Sequence, residues 1–157
     1  MTPPRAYLVG VLSDTHGLLR PGVLEALRGC DHIVHAGDVG DPGILEALEE
    51  LAPVTAVRGN CDQGAWALQL PPTAVAEVGE HSLYVLHVLE ELDLDPASAG
   101  LGVVIHGHTH QPAEEEQDGV LFLNPGSAGP RRFRLPLGLA RLHLEGEARR
   151  VEFLNLD

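Results

Sequence analysis

The chain has 157 residues, of which 44% are hydrophobic, and it carries a net charge of −13 with no lysine. This length predicts a single domain over residues 1–157, and the lack of an apolar run of about 18 residues argues against a membrane span. The acidic balance also disfavours general binding of nucleic-acid backbones or anionic membranes. The first five residues lack the charged and apolar regions of a signal peptide, so we expect a cytoplasmic protein.

Apolar runs and turn signals predict alternating strands and helices in the first half of the chain. The helix over residues 20–28 has Pro21 in its first turn and Gly29 after its end, and Asp41 is placed to cap a second helix that runs to about Leu51. Apolar runs typical of buried parallel strands flank these helices, at residues 6–12, 32–36 and 54–57. This order predicts a parallel sheet with helical crossovers.

The second half of the chain is richer in strands. Residues 145–147 predict a tight turn, because Gly146 can adopt a positive φ. Two acidic stretches, residues 90–95 and 114–118, are typical of solvated loops. The predicted strands are residues 73–78, 82–88, 102–106, 120–123, 138–144 and 149–154. We therefore expect an α/β domain with either two sheets or one mixed sheet folded on itself.

Three histidines lie within five residues, at His106, His108 and His110, directly after an apolar run. Side chains alternate in extended backbone, so the three would share one face if the extension continues through Gly107. A cluster of imidazoles is costly to bury, whereas imidazole is the most common metal ligand of proteins. This segment therefore predicts a metal site.

Other potential metal ligands end or follow the remaining apolar strands. In open α/β sheets a site lies beyond the carboxyl ends of the strands, so one site could collect these residues. Two metals with about four protein ligands each need about eight contacts, which seven residues supply if Asp38 is used twice. The seven candidates are Asp14, His16, Asp38, Asn60, His87, His108 and His110.

Each candidate has an ordinary structural explanation when it is taken alone. Asp14 suits a turn or a helix cap, Asp38 and Asn60 follow glycines in turn-like sequences, and a lone His87 on a strand is more often a core residue. The coincidence of the whole set is what favours ligation over packing. His35 lies on the strand that leads to Asp38, so it could orient a ligand without binding metal.

The ordered motifs resemble the calcineurin-like metallophosphoesterase superfamily, and in particular its small prokaryotic phosphodiesterase branch of the YfcE type. The resemblance runs from Leu8 to Ser127, and its motifs are highly specific as an ordered set. The matching segments are Asp14-Thr15-His16, Gly37-Asp38, Gly59-Asn60-Cys61-Asp62, His87, Gly107-His108-Thr109-His110 and Asn124-Pro125-Gly126-Ser127. The resemblance implies the calcineurin-like phosphoesterase fold, two packed mixed β-sheets flanked by helices in a four-layer αββα sandwich.

The resemblance also implies a dimetal centre in which Asp38 bridges the two ions. One metal would be held by Asp14, His16, Asp38 and His110, and the other by Asp38, Asn60, His87 and His108. We expect two divalent ions, manganese first, with iron, nickel, cobalt or zinc as alternatives. Such ions about 3.5–4 Å apart can clamp a phosphoryl group and lower the pKa of a bridging water, so the implied activity is phosphodiester hydrolysis through a metal-bridging hydroxide.

Further roles are expected for residues around the ligands. Catalysis is assigned to Asp38, Asn60 and His106, where His106 would be either a supporting residue or a proton donor. Asn60 and Arg58 are expected to bind substrate, since Arg58 directly precedes the Gly59-Asn60 motif. The residues expected to support the ligands are His35, Cys61 and Asp62.

Two departures from the family pattern bear on the activity. Cys61 stands where many relatives have a histidine that donates a proton to the leaving group, so we expect diesters with good leaving groups to be better substrates than alkyl monoesters. His87 is followed by Val88 where the family usually has glycine, and the stretch to His106 is shortened and acidic. If the chain turns differently there, the second metal would bind weakly.

The sequence leaves more than one function open. The retromer-subunit relatives share this fold and act mainly as scaffolds, but every expected ligand is present here, which favours an enzyme. A phosphomonoesterase stays open because the metals do not distinguish ester classes, and the acidity of the chain disfavours a nuclease. We expect a small phosphodiester substrate and no membrane or nucleic-acid partner, and a homo-oligomer is compatible with the sequence.

Overall fold

The computed structural model describes residues 5–157 and contains two five-stranded sheets. The expectation that the first residues carry no targeting signal lies mostly outside this range. The strands are, in chain order, β1 (Ala6–Leu12), β2 (His32–His35), β3 (Val54–Ala56), β4 (Thr73–Val78), β5 (His81–Leu86), β6 (Val103–Ile105), β7 (Ala113–Gln117), β8 (Val120–Asn124), β9 (Gly138–Glu145) and β10 (Ala148–Asn155). The two α-helices of the described residues are α1 (Pro21–Ala26) and α2 (Pro42–Glu49).

Both sheets are mixed, which confirms the two-sheet alternative and the expected fold class. The first sheet has the order β10-β9-β1-β2-β3, in which β1, β2 and β3 are parallel, β9 is antiparallel to β1, and β10 is antiparallel to β9. The second sheet has the order β4-β5-β6-β8-β7, in which β5, β6 and β8 are parallel. The carboxyl ends of β1, β2, β3, β5 and β6 lead into the loops that carry the predicted ligands.

The main hydrophobic core lies between the two sheets. Alternate residues of β1 and β6 enter it, including Val9, Val11, Val103 and Ile105, all with no exposed surface. Burial of a side chain of this size contributes about 1.5–3 kcal/mol, so the core holds the two sets of strand ends at a fixed separation. None of the helices in residues 5–157 is long and apolar enough to cross a membrane.

The α-helices cover only the outer face of the first sheet, where Val23 of α1 and Leu48 of α2 are buried. Asp41 caps α2 as predicted, because its carboxylate accepts a hydrogen bond of 2.8 Å from Gly43 N. Over the second sheet, the described chain has a short 3-10 turn at Leu89–Glu91 in place of the expected outer helical layer. The segment between β5 and β6 is short and contains Pro96, which leaves part of that sheet face uncovered.

The prediction of a loop was wrong for residues 114–117, although the whole stretch 114–118 is exposed to solvent as expected. Residues 114–117 belong to β7, which pairs antiparallel with β8 at the edge of the second sheet, and Asp118 lies in the turn that follows. All of its residues are exposed, so burial does not mark it as a strand in the sequence. The charges suit its position, because like-charged side chains on an edge strand discourage pairing with another chain.

Candidate metal centre

The loops that follow the parallel strands bring the predicted ligands together. The loop after β1 carries Asp14 and His16, and it is tied to the loop after β2 by two backbone hydrogen bonds, from Asp14 N to Gly37 O (3.0 Å) and from His16 N to Asp38 O (2.9 Å). The remaining candidates follow β3, β5 and β6. The site therefore forms at the strand ends, as expected for a sheet of this kind.

Asp14 lies at the centre of one group of ligating atoms. Its Oδ1 is 3.4 Å from His110 Nε2 and 3.7 Å from His16 Nε2. Ligating atoms of these three side chains lie within 4.8 Å of one another. This group matches three of the four ligands that the family pattern implies for one metal.

Asp38 lies between this group and the rest of the cluster. Its Oδ2 is 3.6 Å from His16 Nε2 and 3.1 Å from His87 Nε2, while its Oδ1 accepts a 2.8 Å hydrogen bond from Cys61 N. A single carboxylate thus faces histidines from both predicted ligand sets. This is the position that a bridging ligand requires.

The structure brings His87 into the cluster in spite of the altered sequence behind it. Its side chain is almost fully buried, and its Nδ1 contacts Ala36 O at 2.8 Å. Because a carbonyl oxygen only accepts, Nδ1 carries the hydrogen and Nε2 is left free to face Asp38 and Asp14. A ring fixed in this way by a backbone carbonyl is typical of metal-binding histidines.

Asn60 and His108 complete the set on the more exposed side. Asn60 Oδ1 lies 3.2 Å from His108 Nδ1, and the His108 ring packs edge-on against the His87 ring with centroids 5.3 Å apart. All seven predicted ligands therefore belong to one contiguous cluster.

Unpartnered buried atoms show that the cluster fits a cation. Within residues 5–157, Asp14 Oδ1 and His87 Nε2 are buried without a hydrogen-bond partner, and they lie 3.7 Å apart. Leaving a buried polar atom unsatisfied costs about 1–3 kcal/mol, and more for a charged one. Carboxylate oxygens and imidazole nitrogens that face one another at such distances are arranged to bind a positive ion rather than one another.

The electrostatics of the cluster favour charged carboxylates. Burial raises the pKa of Asp14, but contacts with His110 and His16 outweigh burial and lower this pKa below its ordinary range. Burial also raises the pKa of Asp38, but contact with His87 outweighs it and lowers that pKa too. Contact with Asp14 raises the pKa of His16. Burial lowers the pKa of His87, but Asp38 and Asp14 together raise it above its ordinary value.

These pKa shifts predict that metal binding depends on pH. In the metal-free protein, the pKa values of His16 and His87 are raised above their ordinary value of 6.5, so both rings stay protonated to a higher pH. A metal that binds to these rings must displace their protons. Affinity should therefore rise with pH by up to about tenfold per pH unit for each proton displaced, until the pH exceeds both raised pKa values. Calorimetric titration with manganese between about pH 6 and pH 8 would check this. Equal affinity across that range, with no proton release, would contradict it.

Five of the seven predicted ligands have a left-handed backbone conformation. Their φ angles are 59° for Asp14, 46° for His16, 56° for Asp38, 73° for His108 and 64° for His110. Residues other than glycine adopt this region rarely, at a cost of about 1–3 kcal/mol each, and such strain concentrates at functional sites. The strain turns these side chains inwards from loops that continue along the strand ends.

Two glycines allow the ligand loops to approach closely. A Cβ atom at Gly59 would overlap Asp38 Oδ1 and the Asp38 backbone nitrogen, and a Cβ at Gly107 would overlap Ser13 Oγ. Both glycines precede predicted ligands, so their lack of a side chain sets how closely the loops pack around the cluster.

We expect Gly59→Ala to reduce both metal binding and stability. The added methyl group must displace Asp38, which should lower the free energy of unfolding by about 2 kcal/mol and weaken metal binding. Gly22→Ala is the control, since a Cβ there meets Leu156 at an ordinary 3.4 Å, and a helical alanine should leave stability unchanged or raise it by up to about 1 kcal/mol. Denaturant unfolding and metal content would be measured for both. Equal behaviour of the two variants would refute the close-approach argument.

Asp62 and His35 make hydrogen bonds that join the loops around the cluster. Asp62 accepts backbone hydrogen bonds from Val39, Gly40 and Gly59, which joins the loops after β2 and β3. His35 accepts from Gly37 N at 3.1 Å through Nδ1, so its Nε2 donates to Thr15 Oγ1 at 3.0 Å. Complete burial lowers the pKa of His35 to about 4, which keeps the ring neutral.

The shared face predicted for the three histidines was wrong. The strand ends at Ile105, and His106 continues the alternation of Val104 onto the outer face of the second sheet, where it lines a separate cavity. Left-handed turns at His108 and His110 direct those rings to the cluster instead. The structure therefore gives no geometric support to His106 as a proton donor.

The arginines that line the cavity beside the cluster are not the one predicted to bind substrate. This cavity has a volume of about 390 Å³. Arg58 does not line it among the described residues, whereas Arg131 and Arg132 do. Arg131 is paired with Asp157, so Arg132 is the cation left available to a ligand. Cys61 also lines the cavity, and its Sγ comes within 4.8 Å of ligating atoms of His16 and Asp38.

Two buried residues that were not predicted to take part in the site, Asn124 and Ser127, support it through hydrogen bonds. Asn124 donates from Nδ2 to Gly107 O (3.1 Å) and to Thr109 Oγ1 (3.0 Å), which braces the turn between the last two ligands. Ser127 Oγ donates to Asp14 O at 3.2 Å. The Asn124-Pro125-Gly126-Ser127 segment was the signal for these contacts, because it belongs to the ordered motifs.

Two mixed sheets with this cluster at their strand ends have the architecture of metal-dependent phosphoesterases. A family model, the calcineurin-like phosphoesterase superfamily domain, matches residues 7–147. The chain belongs to that superfamily, and at the level of the family it is a phosphoesterase whose family implies divalent metal ions.

Two curated relatives agree with this assignment. A probable metallophosphoesterase of Methanothermobacter thermautotrophicus is 33% identical over 94% of this chain and 91% of its own length. The phosphodiesterase YfcE of Escherichia coli is 34% identical over 73% of this chain and 76% of its own length. The resemblance to the YfcE-type branch is thereby confirmed.

Solved structures show the same fold. The structure of a novel archaeal phosphodiesterase is similar to this one, with 25% identity and a TM-score of 0.79, covering 94% of this chain and 99% of its own. Vacuolar protein sorting 29 of Cryptosporidium parvum has 19% identity and a TM-score of 0.77, covering 97% and 98% of the two chains. At 19% identity, the similarity to vacuolar protein sorting 29 shows a shared fold alone.

Proposed function

We propose that this protein is a phosphodiesterase that acts on small phosphodiesters with two divalent metal ions bound at the cluster. The observation that carries the proposal is Asp38, whose Oδ2 faces both His16 and His87 and so lies between the two predicted ligand sets. Two ions held there would supply an activated water and neutralise charge on the phosphoryl group. The names of the relatives support the ester class.

The residues around the ions would bind and orient the substrate. Arg132 lines the cavity, where a guanidinium can hold a phosphate oxygen. Asn60 is exposed and lines the same cavity, and its side-chain amide carries donors for a second oxygen. The acidity of the chain disfavours polyanionic substrates, so the substrate class proposed is a small diester with a single negative charge.

The cysteine at the mouth of the site predicts a dependence on the leaving group. Cys61 is exposed at the cavity, and a thiol is only a weak hydrogen-bond donor, so it is a poor proton donor to a leaving group. Without an effective proton donor, the rate should fall as the leaving-group pKa rises. A series of aryl and alkyl phosphodiesters would measure this, with Cys61→His as the comparison that flattens the slope. A wild-type rate that does not depend on the leaving group would count against the proposal.

The function is tested by metal analysis combined with a substrate panel. The protein would be loaded with manganese, its metal content per chain counted, and its turnover of diesters and monoesters compared with and without the metal. Two bound ions and faster hydrolysis of diesters are expected. The variant His87→Ala is expected to bind one ion per chain. If it still binds two full equivalents, His87 is not a ligand. Two bound metals without turnover on any ester would favour a scaffold role instead.

A further inference from the structure

A second cavity lies on the outer face of the second sheet and has no described purpose in the proposed reaction. Its volume of about 650 Å³ lies within the range of about 300–1,000 Å³ that is usual for small-molecule sites. Its lining includes Ala113 and Glu115 of β7, Phe122 of β8 and residues from the segment 89–97. It shares no lining residue with the cavity beside the metal cluster.

A buried polar side chain faces this cavity without a partner. His106 lines it with only 8% of its surface exposed. In the part of the chain that the structure describes, neither ring nitrogen has a hydrogen-bond partner, and Glu90 is a charged group that acts on the ring. The ring nitrogens of His106 are not among the fully buried unpartnered atoms, so they are open to the cavity and a ligand there can bond to them, which distinguishes this cavity from a simple apolar hollow.

The charge of the lining is one-sided. Asp95, Glu115 and Asp118 line the cavity, and no arginine does among the residues described. The apolar part of the lining includes Leu92 and Phe122. An anion would be repelled by this lining, and a purely apolar molecule would leave the imidazole without a partner.

We propose that this cavity binds a small organic amine that carries an apolar or aromatic body. The ammonium group lies among the carboxylates of Asp95, Glu115 and Asp118, the body packs on Phe122 and Leu92, and the His106 ring accepts a hydrogen bond from the ligand. This site is separate from the metal cluster and does not depend on the proposed phosphodiesterase activity.

The charge requirement is tested with two probes of equal shape, 4-phenylbutylamine and 4-phenylbutyrate. Each is titrated into the zinc-loaded protein while amide chemical shifts are recorded by NMR. The amine should shift signals of β7, β8 and residues 89–97 in a saturable manner, with an affinity for these residues at least about tenfold higher than that of the carboxylate. Equal affinity of the two probes overturns the proposal, as do shifts confined to the metal cluster.

Matched variants test the location. Ala113→Trp fills the cavity from an exposed strand position, and Ala148→Trp places the same side chain on exposed β10. The first variant should bind the amine at least about tenfold more weakly, and the second should bind it as the wild type does. The double variant Glu115→Gln/Asp118→Asn keeps the shape and should reduce the preference for the amine over the carboxylate. Unchanged binding in both Ala113→Trp and the double variant refutes the site.

Discussion

Asp38→Asn is expected to lower kcat/KM for phosphodiesters by at least about 1,000-fold, which corresponds to about 4 kcal/mol of transition-state stabilisation. The amide removes the negative charge that faces both His16 and His87 at 3.6 and 3.1 Å. An amide oxygen binds a divalent ion more weakly than a carboxylate does, and it cannot offset the charge of two ions. The metal content should fall below two ions per chain, as counted by elemental analysis.

Asp41→Asn is the matched control for this variant. Asp41 lies three residues further along the same loop, but its carboxylate caps α2 and does not enter the cluster. Asparagine caps helices about as well as aspartate, so metal content, activity and unfolding should stay near those of the wild type. Asp38→Asn with full activity and two bound metals would remove Asp38 from the bridging position.

The sequence predicted most strands closely because burial leaves a readable pattern. The run of residues 6–12 matches β1, and residues 73–78 match β4, since strands packed on a core are marked by apolar side chains. The strand β7 could not be found in this way. It is held by backbone pairing with β8 and buries none of its side chains, so its three consecutive glutamates resemble a loop.

The residues that gather at the cluster could be predicted, but their geometry could not. Ordered motifs gave the residue types, and the parallel strand ends explained why residues as distant as Asp14 and His110 meet. The turn after Ile105 depends on left-handed backbone at His108 and His110, which sequence alone does not reveal. For that reason the alternation rule failed at His106, whose ring lies on the other side of the sheet.

Asp62→Ala is expected to cause the largest loss of stability among variants of residues that are not ligands. Its Oδ2 accepts from Gly59 N (2.9 Å) and Val39 N (3.2 Å), and its Oδ1 accepts from Gly40 N (2.9 Å). Alanine leaves these donors unpaired, and at least two of them are buried. At about 1–3 kcal/mol for each buried donor, unfolding free energy should fall by about 3 kcal/mol. Denaturant unfolding of the metal-free protein measures this loss.

The same variant should also weaken metal binding, because Asp62 is what joins the loops that carry Asp38 and Asn60. Asp62→Asn keeps one oxygen, which can still accept from Val39 N and Gly59 N, so its loss of stability and of metal binding should be intermediate. Asp31→Ala is the matched control, since its carboxylate accepts a single exposed backbone hydrogen bond from Leu8 N, and it should cost about 1 kcal/mol with no change in metal content. If Asp62→Ala and Asp31→Ala lose the same stability and both bind two metals, the loops are held by the metals and the core, and Asp62 does not organise the site.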